Sequence, residues 1–146
     1  PGYRLRREVW ARQNEIEIPI MFHTSLKSFL GATNPLPNGE KEALFYSAFH
    51  ICIENQSVKH YFTEKLIDAF LTYTIPIYWG CPNIGDYFNL DGMIIIDTIE
   101  DLIPKLNSLT LEYYEDRMDA IIENRKIAET YANYGERIQA AIEENL

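Results

Sequence analysis

Six residues in one short segment carry most of the chemistry open to this sequence: Glu54, Asn55, Tyr61, Thr63, Glu64 and Lys65. They lie between two apolar runs, FHICI and TIPIYWG. Thr63 suits a helix N-cap, because its hydroxyl can accept an orphan N–H of the first turn. Lys65 then falls where the helix dipole disfavours a cation. An anion bound at this end would compensate, and helix N-termini bind phosphates. A sugar nucleotide needs cations or N–H donors for its diphosphate, an acceptor for the ribose hydroxyls, and contacts for base and sugar. Lys65 and the N–H groups after Thr63 can serve the diphosphate. Glu64 can accept from the ribose, as acidic residues do in other dinucleotide folds. Tyr61 can stack on the ligand or hydrogen-bond to it. Thr-Glu-Lys at a helix start is common on protein surfaces, so this reading depends on the surrounding frame.

The frame is α/β. Residues 48–53 form an apolar run broken only by His50, as expected for a parallel strand covered on both faces. Cys52 within it reads as a buried thiol and His50 as a core histidine rather than a catalyst. A helix is expected from Thr63 to about Tyr73, with Leu66, Phe70 and Tyr73 as its core stripe. Residues 74–80 read as a second strand, with Pro76 tolerated near its start. Residues 83–88 read as a turn of helix and 93–97 as a third strand. Helices follow over 99–109 and 111–131, and 132–146 carries Ile138, Ala141 and Ile142 on one face. Asp97 reads as a helix cap.

Upstream, Leu5, Val9 and Trp10 fall at helical spacing within residues 1–13. Of Arg4, Arg6, Arg7 and Arg12, most should form a solvated face, and one can offer a phosphate its guanidinium fork. Residues 16–22 read as an edge strand containing Pro19, 23–38 as irregular chain, and 40–47 as one or two helical turns. Strands alternating with helices imply a layered domain with a mostly parallel sheet, whose ligand sits at the strands' carboxyl ends.

A length of 146 residues suits one domain spanning 1–146. The net charge of −9 argues against a nucleic-acid partner. Cys52 and Cys81 form no CxxC pair, and His23, His50 and His60 are not spaced as metal ligands, so no metal is expected. G-x-S-x-G, HExxH, P-loop and G-x-G-x-x-G motifs are absent. No apolar run of roughly 18 residues provides a transmembrane segment. The chain starts at Pro1 rather than Met, so it reads as an excised piece of a longer protein.

The stretch 49–89 resembles the core signature of the family 10 α1,3/α1,4-fucosyltransferases. That signature has a strand ending in Glu-Asn, then Tyr-x-Thr-Glu-Lys opening a helix, then an Ile-Pro-Ile/Val-Tyr-x-Gly strand. Here these are Glu54-Asn55, Tyr61 to Lys65, and residues 75–80. The family usually has Ser after Glu-Asn, whereas this chain has Gln56. The resemblance implies one half of a GT-B fold, Rossmann-like with a helical C-terminal part, binding GDP-fucose for inverting fucosyl transfer to a glycan acceptor. It implies that Lys65 contacts the diphosphate, Glu64 the ribose, and Tyr61 and Asn55 the donor. Leu5-Arg6 resembles the family's diphosphate arginine, making Arg6 the choice among four. Glu54 and Thr63 complete the expected donor-binding set. No metal or other cofactor is implied beyond the donor substrate.

In the family the general base is a carboxylate of an N-terminal acceptor domain. No catalytic residue is therefore expected within 1–146, and this part alone should bind donor but transfer little. The implied context is surface-glycan, lipopolysaccharide or protein glycosylation. The implied location is the cytoplasm at the membrane face, or the Golgi lumen in a eukaryote. Two other readings stand beside this one: a glycosyltransferase using another sugar nucleotide, and a non-catalytic interaction domain derived from the fold. Glu64 and Lys65 together argue against the last.

Overall fold

The computed structural model describes residues 1–23, 36, 44–133, 135, 139, 142 and 143. Three parallel strands, β1 (Phe49–Ile53), β2 (Ile75–Trp79) and β3 (Ile94–Ile95), pair in the order β1-β2-β3. Alternate residues point to opposite faces. Ile53, Ile75, Ile77 and Ile94 enter one core with Leu5 and Val9 of α1 (Gly2–Ala11) and Leu102 and Leu106 of α3 (Ile99–Asn107). Cys52 and Tyr78 enter the other with Leu66 and Phe70 of α2 (Glu64–Leu71), joined by Ala128 of α5 (Met118–Ala132). The sheet is thus a middle layer covered on both faces, which explains its continuous apolar strands. A short helix, α4 (Leu111–Glu115), joins α3 to α5.

Pro76 sits in the central strand. Ile75 donates its N–H to the Ala48 carbonyl on the β1 side at 2.9 Å. In a parallel strand the next residue therefore faces β3, and β3 pairs only from Ile77 onward. The missing donor of Pro76 thus falls where, among the described residues, no partner strand runs.

Several expectations need correction. Residues 16–22 are irregular chain with a bend at Ile18 and are not assigned to a strand. Their apolar side chains Ile16, Ile18 and Phe22 pack on the α1/α3 core instead. Tyr73 leaves the α2 stripe: the helix stops at Leu71, and Tyr73 has φ 58° and is exposed. Its hydroxyl and ring engage Arg125 of α5. The long helix expected over 111–131 breaks into α4 and α5 at a turn through Asp116 and Arg117. Only Ile94 and Ile95 of the third strand pair in the sheet. The α3 cap is Thr98, which accepts the Asp101 N–H at 3.2 Å; Asp97 instead donates its own N–H to Asp101. Cys52 is the free, buried thiol expected from the sequence, and Cys81 is one as well. The readings of 24–35 and 37–43, and of the face built on Ile138 and Ala141, lie outside the described residues.

Candidate functional site

The site is built where β1 ends. Helix α1 starts against that end, with the Gly2 N–H donating to the Asn55 carbonyl at 3.2 Å. A Cβ on Gly2 would lie 1.7 Å from the Glu54 carbonyl oxygen, so the approach requires glycine. One turn further along α1, Arg6 donates from Nη1 to the Ile53 carbonyl at 2.5 Å and from Nη2 to Asn55 Oδ1 at 2.7 Å. The Tyr3 ring lies 4.5 Å from its guanidinium carbon. Arg4 pairs with Glu8, and Arg12 with Glu15 and Glu100. The choice of Arg6 from sequence therefore falls on an arginine that reaches the strand end.

Glu54 is 1% exposed. A buried carboxylate is costly unless its oxygens are satisfied, and Thr63 does much of this. The Thr63 N–H donates to Oε1 at 2.8 Å, and its hydroxyl lies 2.8 Å from Oε2. Lys65 Nζ donates to Thr63 Oγ1 at 3.0 Å and stands 3.7 Å from Glu54 Oε2 and 3.4 Å from Glu64 Oε1. β2 closes over this cluster at Gly80, where a Cβ would meet the Tyr78 hydroxyl at 2.5 Å and Glu54 Cγ at 2.6 Å.

Two expectations change here. The cation at the α2 start already has an anion within the chain, the buried Glu54. Its awkward position is therefore not by itself a sign of a missing ligand. Three N–H groups at this end are also engaged: that of the cap Thr63 by Glu54, that of Lys65 by Thr63 Oγ1 at 3.4 Å, and that of Leu66 by the Thr63 carbonyl at 3.1 Å. Several side chains face outward here. Lys65 is about one-third exposed, Glu64 is more so, Asn55 and Arg6 are half-buried, and Tyr61 is exposed. Glu54 acts from beneath them.

Burial tunes the groups around the site. It pushes the Cys52 thiol and the Tyr78 phenol up, and it lowers His50. Cys52 donates to the Lys65 carbonyl at 3.4 Å, tying β1 to α2. Among the described residues no group of three His, Cys, Asp or Glu side chains could hold a metal. No helix among them is long and apolar enough to cross a membrane.

Sequence reasoning missed Gly2, Tyr3 and Gly80. The spacing of Tyr3 and Arg6, one helical turn, was a usable signal for that pair. The two glycines matter only through long-range approaches that spacing does not reveal.

A covered parallel sheet with charged side chains gathered at a strand's carboxyl end defines an α/β domain of the kind that binds ligands at that edge. More narrowly, residues 13–114 match glycosyltransferase family 10 (fucosyltransferase) C-term, and the chain belongs to that family. It is 36% identical over 89 residues to the alpha-(1,3)-fucosyltransferase FucT of Helicobacter pylori, covering 61% of this chain and 18% of the relative. A crystal structure of an alpha1,3-fucosyltransferase superposes with a TM-score of 0.63 at 29% identity, over 81% of this chain and 34% of that one. This agrees with the parallel-sheet domain of GT-B type expected from the sequence. The chain therefore spans about a fifth of the curated relative and about a third of the solved one.

Proposed function

We propose that this domain binds the GDP-fucose of an inverting fucosyltransferase at the carboxyl end of β1. The observation that carries this reading is a convergence: Arg6 and Lys65, far apart in sequence, meet around Ile53, Glu54 and Asn55. Two cations on opposite sides of a strand end suit a diphosphate. Arg6 gives up its Asn55 bond or shares it with a phosphate oxygen, and Lys65 turns its exposed ammonium outward. Glu64 accepts from the ribose hydroxyls, and Tyr61 and Asn55 line the donor. Glu54 and Thr63 are positioning residues that hold Lys65 in place.

The positive charge comes from side chains, so the reading needs no metal. The base that deprotonates the acceptor hydroxyl comes from outside residues 1–146, matching the family's division of labour between two domains. The glycan acceptor then meets the donor in the cleft between those domains.

Calorimetric titration with GDP-fucose, GDP-mannose and UDP-galactose tests the donor, with and without EDTA. Binding of both GDP sugars but not UDP-galactose, unchanged by EDTA, is expected. Equal affinity for UDP-galactose removes the guanine preference. Transfer by residues 1–146 alone, at the rate of an intact family enzyme, would remove the external base.

A further inference from the structure

His60 and Phe62, on either side of Tyr61, are both anchored to the turn after β2. His60 has φ 63°, a left-handed conformation that costs a non-glycine residue free energy and persists only where surroundings enforce it. Asn83 enforces it from two sides. Its Oδ1 accepts the His60 N–H at 2.9 Å, and its Nδ2 donates to His60 Nδ1 at 3.1 Å. Asn83 is itself held, by Nδ2 to Asp86 Oδ2 at 2.7 Å and by the Cys81 thiol on Oδ1 at 3.2 Å. Tyr87 shares a 2.5 Å hydrogen bond with His60 Nδ1. Phe62 then packs edge-on against Tyr87, Phe88 and Tyr131, with ring centroids 5.1, 5.5 and 5.3 Å away. Tyr61, between the two anchors, is left pointing outward.

We propose that the Asn83–Tyr87 turn is a positioning device for the donor site, which fixes the direction of Tyr61 by clamping its two neighbours. The inference rests on the reading of Tyr61 as a donor contact. Asn83 need touch no ligand. Its work is to keep the β1–α2 loop in one conformation, so that binding does not first have to order it.

The test combines Asn83→Ala with His60→Gly, since glycine adopts φ 63° without a clamp. Asn83→Ala is expected to weaken GDP binding roughly tenfold, the scale of one or two lost hydrogen bonds. Adding His60→Gly in that background should recover a large part of the loss, which general destabilisation would not do. Hydrogen exchange without ligand supplies the independent readout: Asn83→Ala should speed exchange at the His60 and Tyr61 amides and leave β1 and β2 protected. A folded Asn83→Ala chain with parental GDP affinity overturns the inference, as does a loss that glycine does not rescue. If the parent chain binds no GDP, the proposed function fails and the ligand role of the clamp fails with it. Unchanged loop exchange with normal GDP binding by the parent overturns the clamp alone.

Discussion

Helices α2 and α3 begin alike and then diverge. Each follows a strand end, and each is capped by a threonine, Thr63 or Thr98. α3 then places Glu100 and Asp101 in its first turn and Lys105 in its last, the order the helix dipole favours. Lys105 pairs with Asp101 one turn back at 2.9 Å on the surface. α2 places Lys65 in its first turn and keeps it there with Glu54, a carboxylate removed from water. The α3 lysine finds its acidic partner on its own helix and also donates to the Ile95 carbonyl at 2.7 Å, whereas the α2 lysine stands over Glu54, a buried carboxylate just after β1. Local optimisation has been given up at the helix that faces the proposed donor, and that is where a functional constraint would act.

Replacing the buried partner should separate the two helices most. Glu54→Leu strands the Thr63 donors and leaves Lys65 only the exposed Glu64 as an anion, so unfolding in urea should shift by about 2–3 kcal/mol. GDP binding should be lost in the fraction that folds. A stability change under 1 kcal/mol would show that Glu54 is not the support of α2. Lys65→Ala comes next, with GDP affinity expected to fall roughly 10–100-fold, the scale of a charge-assisted hydrogen bond. Lys105→Ala, its counterpart on α3, should leave affinity unchanged and cost about 1 kcal/mol of stability, since it removes a surface ion pair and a 2.7 Å bond to the Ile95 carbonyl. Equal effects of the two lysines would erase the distinction. Smaller still is the pair of caps. Thr98→Ala should cost about 1 kcal/mol, as an ordinary cap does. Thr63→Ala should cost more, because Thr63 also satisfies Glu54 and Lys65.

The smallest effect concerns β1, the strand beneath α2. Burial holds the His50 imidazole below its ordinary value of 6.5. The folded state therefore binds fewer protons there than the unfolded chain. The stability this gives is present above pH 6.5 and is lost as pH falls toward the lowered folded value. His50→Phe should flatten the acid side of the stability profile measured by thermal melts. An unchanged profile would assign the slope to other groups.

Much of the frame was readable because it rests on short-range pattern. FHICI and IPIYW are apolar on both faces, and Thr63 and the breaks at Gly80 and Pro82 mark their own boundaries. Misreadings came where a distant partner decides. Residues 16–22 have strand composition, but a strand needs a neighbour to pair with. Tyr73 fits the helical period, yet the helix ends at Leu71, and Tyr73, at φ 58°, meets Arg125 of α5 instead of the core. For the candidate site the types were legible and the arrangement was not. Lys65 stood out by its position, but the buried Glu54 beneath it could be found only once β1 and α2 were packed together. Asn83 gave no sign at all, since its role depends on a backbone angle at His60.

Cys52 gives the β1–α2 junction a chemical clock. Its thiol is buried, its ionisation is suppressed, and it bonds to the carbonyl of Lys65. A thiolate reagent therefore meets almost nothing to attack until α2 lifts from the sheet. The rate of alkylation at this one sulfur then counts openings of the helix that carries Glu64 and Lys65. A ligand that holds α2 down should slow that rate in proportion to how tightly it binds.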